Sequence, residues 1–231
     1  MRFSRKRKVG EGAFGRVYVA HDTKLQREVA IKESQHGLEH AYEGLGCETV
    51  REIACLVQMP AHRHVLSLLD DVIYAGRVTT LVLEPMECSL LDYYRARLPL
   101  ARARADDLAC QLASGIAHLH AHGVMHRDVK PANALMLGHH LRLSDFGLAR
   151  RMAPGRAYTL EAVTLNYRAP ELLLGDEHYD AGVDVFALGL VHLELLEGRM
   201  ICWTDGTQYS MLVQIFKACG TPSEATYPGI S

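Results

Sequence analysis

The sequence predicts an α+β chain of two lobes, a small β-rich one and a larger helical one, meeting near residues 84–88. Three observations lead there. Residues 15–35 and 65–85 are rich in alternating, β-branched apolar runs, with one helical pattern between them. From about residue 89 the apolar period becomes that of helices. Residues 182–198 are then apolar on nearly every face, the mark of a helix buried in a core.

The elements follow in order. GEGAFGRV at 10–17 carries glycines at a spacing that lets backbone amides approach a phosphate. Such glycines fit a strand-to-helix turn of a dinucleotide site or the bend of a β-hairpin. RVYVA, the polar turn HDTKLQ and REVAIKE come next, which are strand signals at hairpin spacing. The hairpin is therefore the better reading. Residues 46–59 show a helical pattern through Val50, Ile53, Ala54 and Val57. VLSLLDDVIYA (65–75) and RVTTLVLEP (77–85) read as strands. SLLDYYRARL (89–98) and ADDLACQLASGIAHLHAHG (105–123) read as helices, the second opening on acidic residues suited to a helix N-terminus. NALML and LRLSDF are short strands, 148–168 is polar and irregular, and 207–219 is an amphipathic helix.

The bulk composition excludes several classes. The 231 residues are 48% hydrophobic and 23% charged, with a net charge of −2, so there is no global electrostatic case for a nucleic-acid or membrane partner. The local basic run RFSRKRK (2–8) reads as a solvated strand edge in preference to a nuclear address. Six scattered cysteines without a C-x-x-C pair, and no signal peptide, point to reduced thiols in a cytoplasmic and/or nuclear setting. The longest apolar stretch contains Asp184, His192 and Glu194, too charged to span a bilayer. His118 and His122 lack the glutamate and cysteine partners of a zinc site and read as helix-face histidines.

Six motifs then appear in one order: GEGAFGRV (10–17), VAIK (29–32), a helix bearing Glu52, HRDVKPAN (126–133), DFG (145–147) and YRAPE (167–171). Together they resemble the eukaryotic protein kinase family over essentially the whole chain. The resemblance implies a bilobal kinase-like fold, with 1–84 as N-lobe, 85–88 as hinge and 89–231 as C-lobe. It also implies ATP and Mg2+ as cofactors and transfer of phosphate to protein hydroxyls. Such transfer needs positioning and charge neutralisation more than covalent chemistry. Gly10, Gly12 and Gly15 would cover the phosphates, Lys32 would hold them, and Glu52 would aim Lys32. Asp145 and Asn133 would offer Mg2+ the hard oxygens it prefers. Asp128 would orient the substrate hydroxyl or accept its proton, and Lys130, the serine/threonine-type residue, would contact the γ-phosphate. Val17, Ala30, Leu83 and Leu135 would sandwich adenine, with main-chain groups of Glu84 and Met86 at its edge.

VREI (50–53), DFGLAR (145–150), YTLEAVTLNYRAPELLLG (158–175) and GTPSEATYPG (220–229) resemble the cyclin-dependent kinases in particular. That resemblance implies a cyclin or cyclin-like activator on the Glu52 helix. It implies a cluster of Arg51, Arg127 and Arg150 awaiting a phosphate on Thr159, added by an upstream activating kinase. Val163 and Arg168 match the pocket that selects Ser/Thr-Pro in protein substrates. Mitogen-activated kinases share that preference, but YTLEAVT lacks their T-x-Y pair. Asn166 and Phe186 replace tryptophans usual in the family, and GCETVRE keeps only the Arg-Glu end of its helix motif. Ala13 and Phe14 occupy glycine-loop positions where many relatives carry a modifiable Thr-Tyr pair. The family's domain continues past GTPSEATYPG, so the sequence implies a C-lobe without its last helices and an unpaired Glu171. A weakly active nucleotide-binding scaffold is the alternative class; intact Lys32, Asp128, Asn133 and Asp145 weigh against it.

Overall fold

A computed structural model describes residues 2–12, 15–35, 46–75, 78–160, 164–202 and 206–225. The first lobe is a five-stranded antiparallel sheet in the order β1-β2-β3-β5-β4. Its strands are β1 (Phe3–Gly12), β2 (Gly15–Asp22), β3 (Arg27–Gln35), β4 (Ile73–Ala75) and β5 (Val78–Leu83). Strand alternation divides the apolar residues between two faces. Ala20, Val29, Ile31 and Val82 fill one side, while Ala30, Leu81 and Leu83 join the main core with Leu56 of helix α1 (Cys47–Gln58). The basic run 2–8 lies in edge strand β1, with Arg2 bound to Asp22 and Asp70, and Lys6 to Glu33.

The strand reading of 65–75 needs correction, since only Ile73–Ala75 pairs as a strand. Val65 and Leu68 instead form single bridges, to Leu143 and Leu83. Asp70, held by Lys24 at 2.7 Å, turns the chain where a strand would have run on.

The second lobe begins with β6 (Cys88–Ser89) and α2 (Leu90–Arg95), capped by Ser89, whose hydroxyl accepts the Asp92 N–H at 3.1 Å. Helix α3 (Arg102–Ala121) starts earlier than its acidic residues suggested. Asp106 and Asp107 sit in its second turn and bind His192 and Arg104 instead of capping the end. Two small sheets follow, β6-β8-β9 and β7-β10, from β7 (Val124–Met125), β8 (Ala134–Leu137), β9 (His140–Leu143) and β10 (Arg150–Arg151). Helices α4 (Pro170–Leu173), α5 (Gly182–Glu197) and α6 (Gln208–Cys219) complete the lobe.

The core joins Leu108, Leu112 and Leu119 of α3 to Val191 and Leu195 of α5. Helix α5 is less enclosed than its composition predicted: Val185 is 56% and Leu193 46% exposed. His62 stacks on His118 with ring centroids 4.5 Å apart, and His118 meets His122 at the same separation. These rings fasten loop 60–64 to the end of α3. Among the described residues no group of His, Cys, Asp and Glu is arranged to hold a metal ion by itself, and no helix is long and apolar enough to cross a membrane.

Candidate active site

The two lobes enclose a cavity of about 500 Å³. Its roof is the β1–β2 hairpin, which closes with Gly12 paired to Gly15. At Gly15 the backbone has φ +137°, and a Cβ would stand 2.3 Å from the Glu33 carbonyl oxygen. A side chain there would push the roof off β3. Val17 and Ala30 line the cavity from the sheet and Leu135 from β8, with Leu83, Glu84 and Met86 at its edge. Gly10 and Gly15 line it as well. Sequence reasoning missed Val9 and Leu66, apolar wall residues that belong to no motif. The Glu84 side chain pairs with Arg142 of β9, tying the connection between the lobes to the floor. Ala13 and Phe14 lie outside the described residues.

At the inner end, Lys32 Nζ donates to both carboxylate oxygens of Glu52 at 2.7 Å. Asp145 Oδ1 lies 3.6 Å from the same ammonium. Glu52 is 4% exposed, and its burial raises the carboxyl pKa against the opposing pull of Lys32. Asp145 has φ +65°, and its Oδ1 is buried without a hydrogen-bond partner. A bare carboxylate oxygen beside an ammonium is poised for a further cation.

Below it runs the loop 126–133. The carboxylate of Asp184 in α5 accepts the backbone N–H groups of His126 (2.8 Å) and Arg127 (2.7 Å), and it meets His120 Nε2 at 2.8 Å. This anchor presents Asp128, which accepts from Lys130 Nζ, Asn133 Nδ2 and the Thr164 hydroxyl, each at 2.7 Å. Burial opposes ionisation of Asp128, but Lys130 and Thr164 outweigh it and hold the carboxyl below its ordinary value. Thr164 also accepts from Lys130 Nζ at 2.8 Å. Both Thr164 and Asp184 were missed as site residues; their roles lie in contacts 36 and 57 residues along the chain.

Of the three arginines read as one cluster, one reaches Thr159. Arg127 Nη2 donates to the Thr159 carbonyl at 2.6 Å and hydroxyl at 3.0 Å. Arg51 donates instead to the Gly147 carbonyl (3.4 Å) and Arg150 to that of Ala149 (3.2 Å). The three still sense one another. Burial lowers the Arg127 and Arg150 guanidiniums, and the charge of Arg51 lowers both further. Nε and Nη1 of Arg127 are buried without a partner. Arg168 is buried ahead of α4, while Val163 lies outside the described residues. Glu171, half-buried, makes no ion pair among the described residues, and burial raises its pKa.

Comparison with known proteins agrees with this geometry. The family described as "Protein kinase domain" matches residues 3–230. Cyclin-dependent kinase B2-1 of Arabidopsis thaliana is 37% identical over 242 residues, covering 99% of this chain and 76% of that protein. Cell division control protein 2 homolog C of Antirrhinum majus is 35% identical over 244 residues, covering 100% of this chain and 79% of that protein. Among solved structures, the CAK complex of Chaetomium thermophilum bound to ATP-gamma-S contains a chain that superposes with a TM-score of 0.91 at 31% identity. That match covers 99% of this chain and 72% of the other. The two-lobed α+β fold expected from the sequence is thus the fold found, and the chain belongs to the protein kinase family, among the serine/threonine kinases of cyclin-dependent type.

Proposed function

We propose that the chain transfers the γ-phosphate of ATP to Ser or Thr followed by Pro, once a cyclin-like partner and a phosphate on Thr159 have set its regulatory parts. The observation that carries the reading is the Lys32–Glu52 pair, which lines one cavity together with Asp145 and Asn133. In it ATP lies under Gly10, Gly12 and Gly15. Its adenine sits between Val17, Ala30, Leu83 and Leu135, and Lys32 holds its phosphates. Asp128 takes a hydrogen bond from the acceptor hydroxyl and orients its oxygen for attack. Lys130, already 2.7 Å from Asp128, offsets the charge on the transferred group.

The residues fit Mg2+. Asp145 offers its unpartnered Oδ1, and Asn133 gives its amide N–H to Asp128, which leaves a side-chain oxygen free to ligate. The ion would neutralise phosphate charge. Val50 and Val57, 47% and 60% exposed and two turns apart on α1, form an apolar stripe suited to a cyclin-like partner. Thr159 is exposed to an upstream kinase, and a phosphate there would meet the partnerless nitrogens of Arg127. Arg168 and Val163 are assigned to the pocket for the substrate proline.

The test is phosphate transfer to paired Ser-Pro and Ser-Ala peptides, with and without a cyclin. Asp128→Asn and Asp145→Asn serve as dead controls. Transfer that ignores the proline, or that is unchanged by Thr159→Ala in the cyclin-bound, activated enzyme, overturns the corresponding part.

A further inference from the structure

A second cavity, of about 380 Å³, opens between α1 and the strand pair β7–β10, outside the nucleotide cleft. Its volume falls in the range of small-molecule sites. The floor is apolar, formed by Ala54, Cys55 and Met59 on the α1 side and Val124 from β7. Burial pushes the Cys55 thiol up to about 12, so the floor carries no thiolate at neutral pH.

The rim is cationic, formed by Arg51, Arg150 and Arg151. Their hydrogen bonds go to neutral acceptors: Arg51 to the Gly147 carbonyl, Arg150 to that of Ala149, and Arg151 to Gln58 Oε1 at 3.0 Å. Among the described residues the carboxylate paired with them is Glu48, 3.5 Å from Arg51. Arg51 is thus answered by Glu48, while Arg150 and Arg151 meet only neutral acceptors among the described residues and leave positive charge at the mouth of an apolar hollow. Burial lowers the basicity of Arg150, and the charges of Arg51 and Arg127 lower it further. Planar guanidinium forks match a carboxylate better than a spherical anion, and the floor calls for an apolar body behind it.

We propose that this cavity binds a small amphipathic carboxylate, its apolar body on Ala54, Cys55, Met59 and Val124 and its head group between Arg150 and Arg151. The site is distinct from the ATP cleft. A ligand there bridges α1, which carries Glu52, to β10, which leads from DFG toward Thr159. Occupancy therefore holds Glu52 in reach of Lys32. This last consequence rests on the catalytic reading above, whereas binding itself does not.

The probe is 2-naphthoate, titrated into the full chain by calorimetry with saturating Mg2+ and a non-hydrolysable ATP analogue, so that the nucleotide cleft is closed to it. Saturable single-site binding is expected, with neutral 2-naphthalenemethanol binding about tenfold more weakly. Arg151→Gln should weaken the carboxylate about tenfold and leave the neutral compound unchanged. Ala54→Met should fill the floor and weaken both. Thermal unfolding and analogue binding check that each variant folds; if Ala54→Met does not, the charge comparison with Arg151→Gln decides alone. Absence of saturable binding, equal affinity for the two probes, or wild-type affinity in Arg151→Gln overturns the site. If binding behaves as expected but peptide phosphorylation does not respond to the probe, the coupling to Glu52 fails while the site stands.

Discussion

Glu52 of α1 grips Lys32 of β3 through both carboxylate oxygens, so the position of one helix is written directly onto the ammonium that faces the nucleotide cavity. Glu52→Gln keeps the shape and removes the charge. The expected result is a fall in kcat/KM of about 100-fold, near 2.7 kcal/mol, measured by steady-state peptide phosphorylation. Burial raises the Glu52 carboxyl, so protonation on acidification begins above the ordinary 4.5 and loosens Lys32. The acid limb of the wild-type activity profile should therefore lie above that value.

Thr164 stands between Asp128 and Lys130, donating to one and accepting from the other. Thr164→Val deletes both contacts without changing volume. We expect kcat to drop about tenfold while the KM for ATP holds, and Thr164→Ser to restore most of the rate. Equal losses in the Val and Ser variants would assign the effect to packing.

These two contacts show what the sequence made legible. Lys32, Glu52, Asp128, Asn133 and Asp145 stand in short words of fixed local order, so they could be read directly, and the fold brings all five to one place. Thr164 lies within the stretch 158–175 and Asp184 two residues before Phe186, both parts of the resemblance, but neither stretch told what its polar side chain would bind. Asp184, His192 and Glu194 were read only as charges interrupting an apolar run. Each proves to be a tie: to the loop at 126–127, to Asp106, and to Tyr94 and Tyr167. Periodicity marks which face is buried but not which polar partner waits there. The segment 65–75 misled for a related reason. Val65 and Leu66 are as buried as strand residues, yet Val65 and Leu68 make single bridges to β9 and β5, and only Ile73–Ala75 joins a ladder.

Glu194 is 1% exposed and accepts hydroxyls from Tyr94 and, at 2.7 Å, from Tyr167. Burial, and then the carboxylate itself, push the Tyr167 phenol pKa up, so it stays a donor at any working pH. Tyr167→Phe leaves a buried charge with half its donors. A loss of about 1–3 kcal/mol is expected from the urea midpoint at constant m-value.

Glu171 presents the opposite case. Burial raises its carboxyl, Asp180 and Asp176 add to the shift, and no cation among the described residues opposes it. A carboxyl whose pKa is raised on folding favours the folded state at low pH, and that contribution is lost as pH rises through the folded value. Glu171→Gln should raise Tm by about 2 °C at pH 7.5. The difference should vanish near pH 4, where both side chains are neutral. An equal gain at both pH values would exclude charge as its origin.

Asp184 sets where these effects are felt. Its carboxylate hangs the loop bearing Asp128 from a helix that makes no contact with the nucleotide cavity. Most of the cavity's roof and edge belongs to the sheet lobe. In the function proposed above, the donor would thus be referenced to the sheet and the acceptor, through Asp128, to α5. A movement of one lobe against the other would then shift ATP relative to Asp128, so the alignment of the two lobes would itself set the rate.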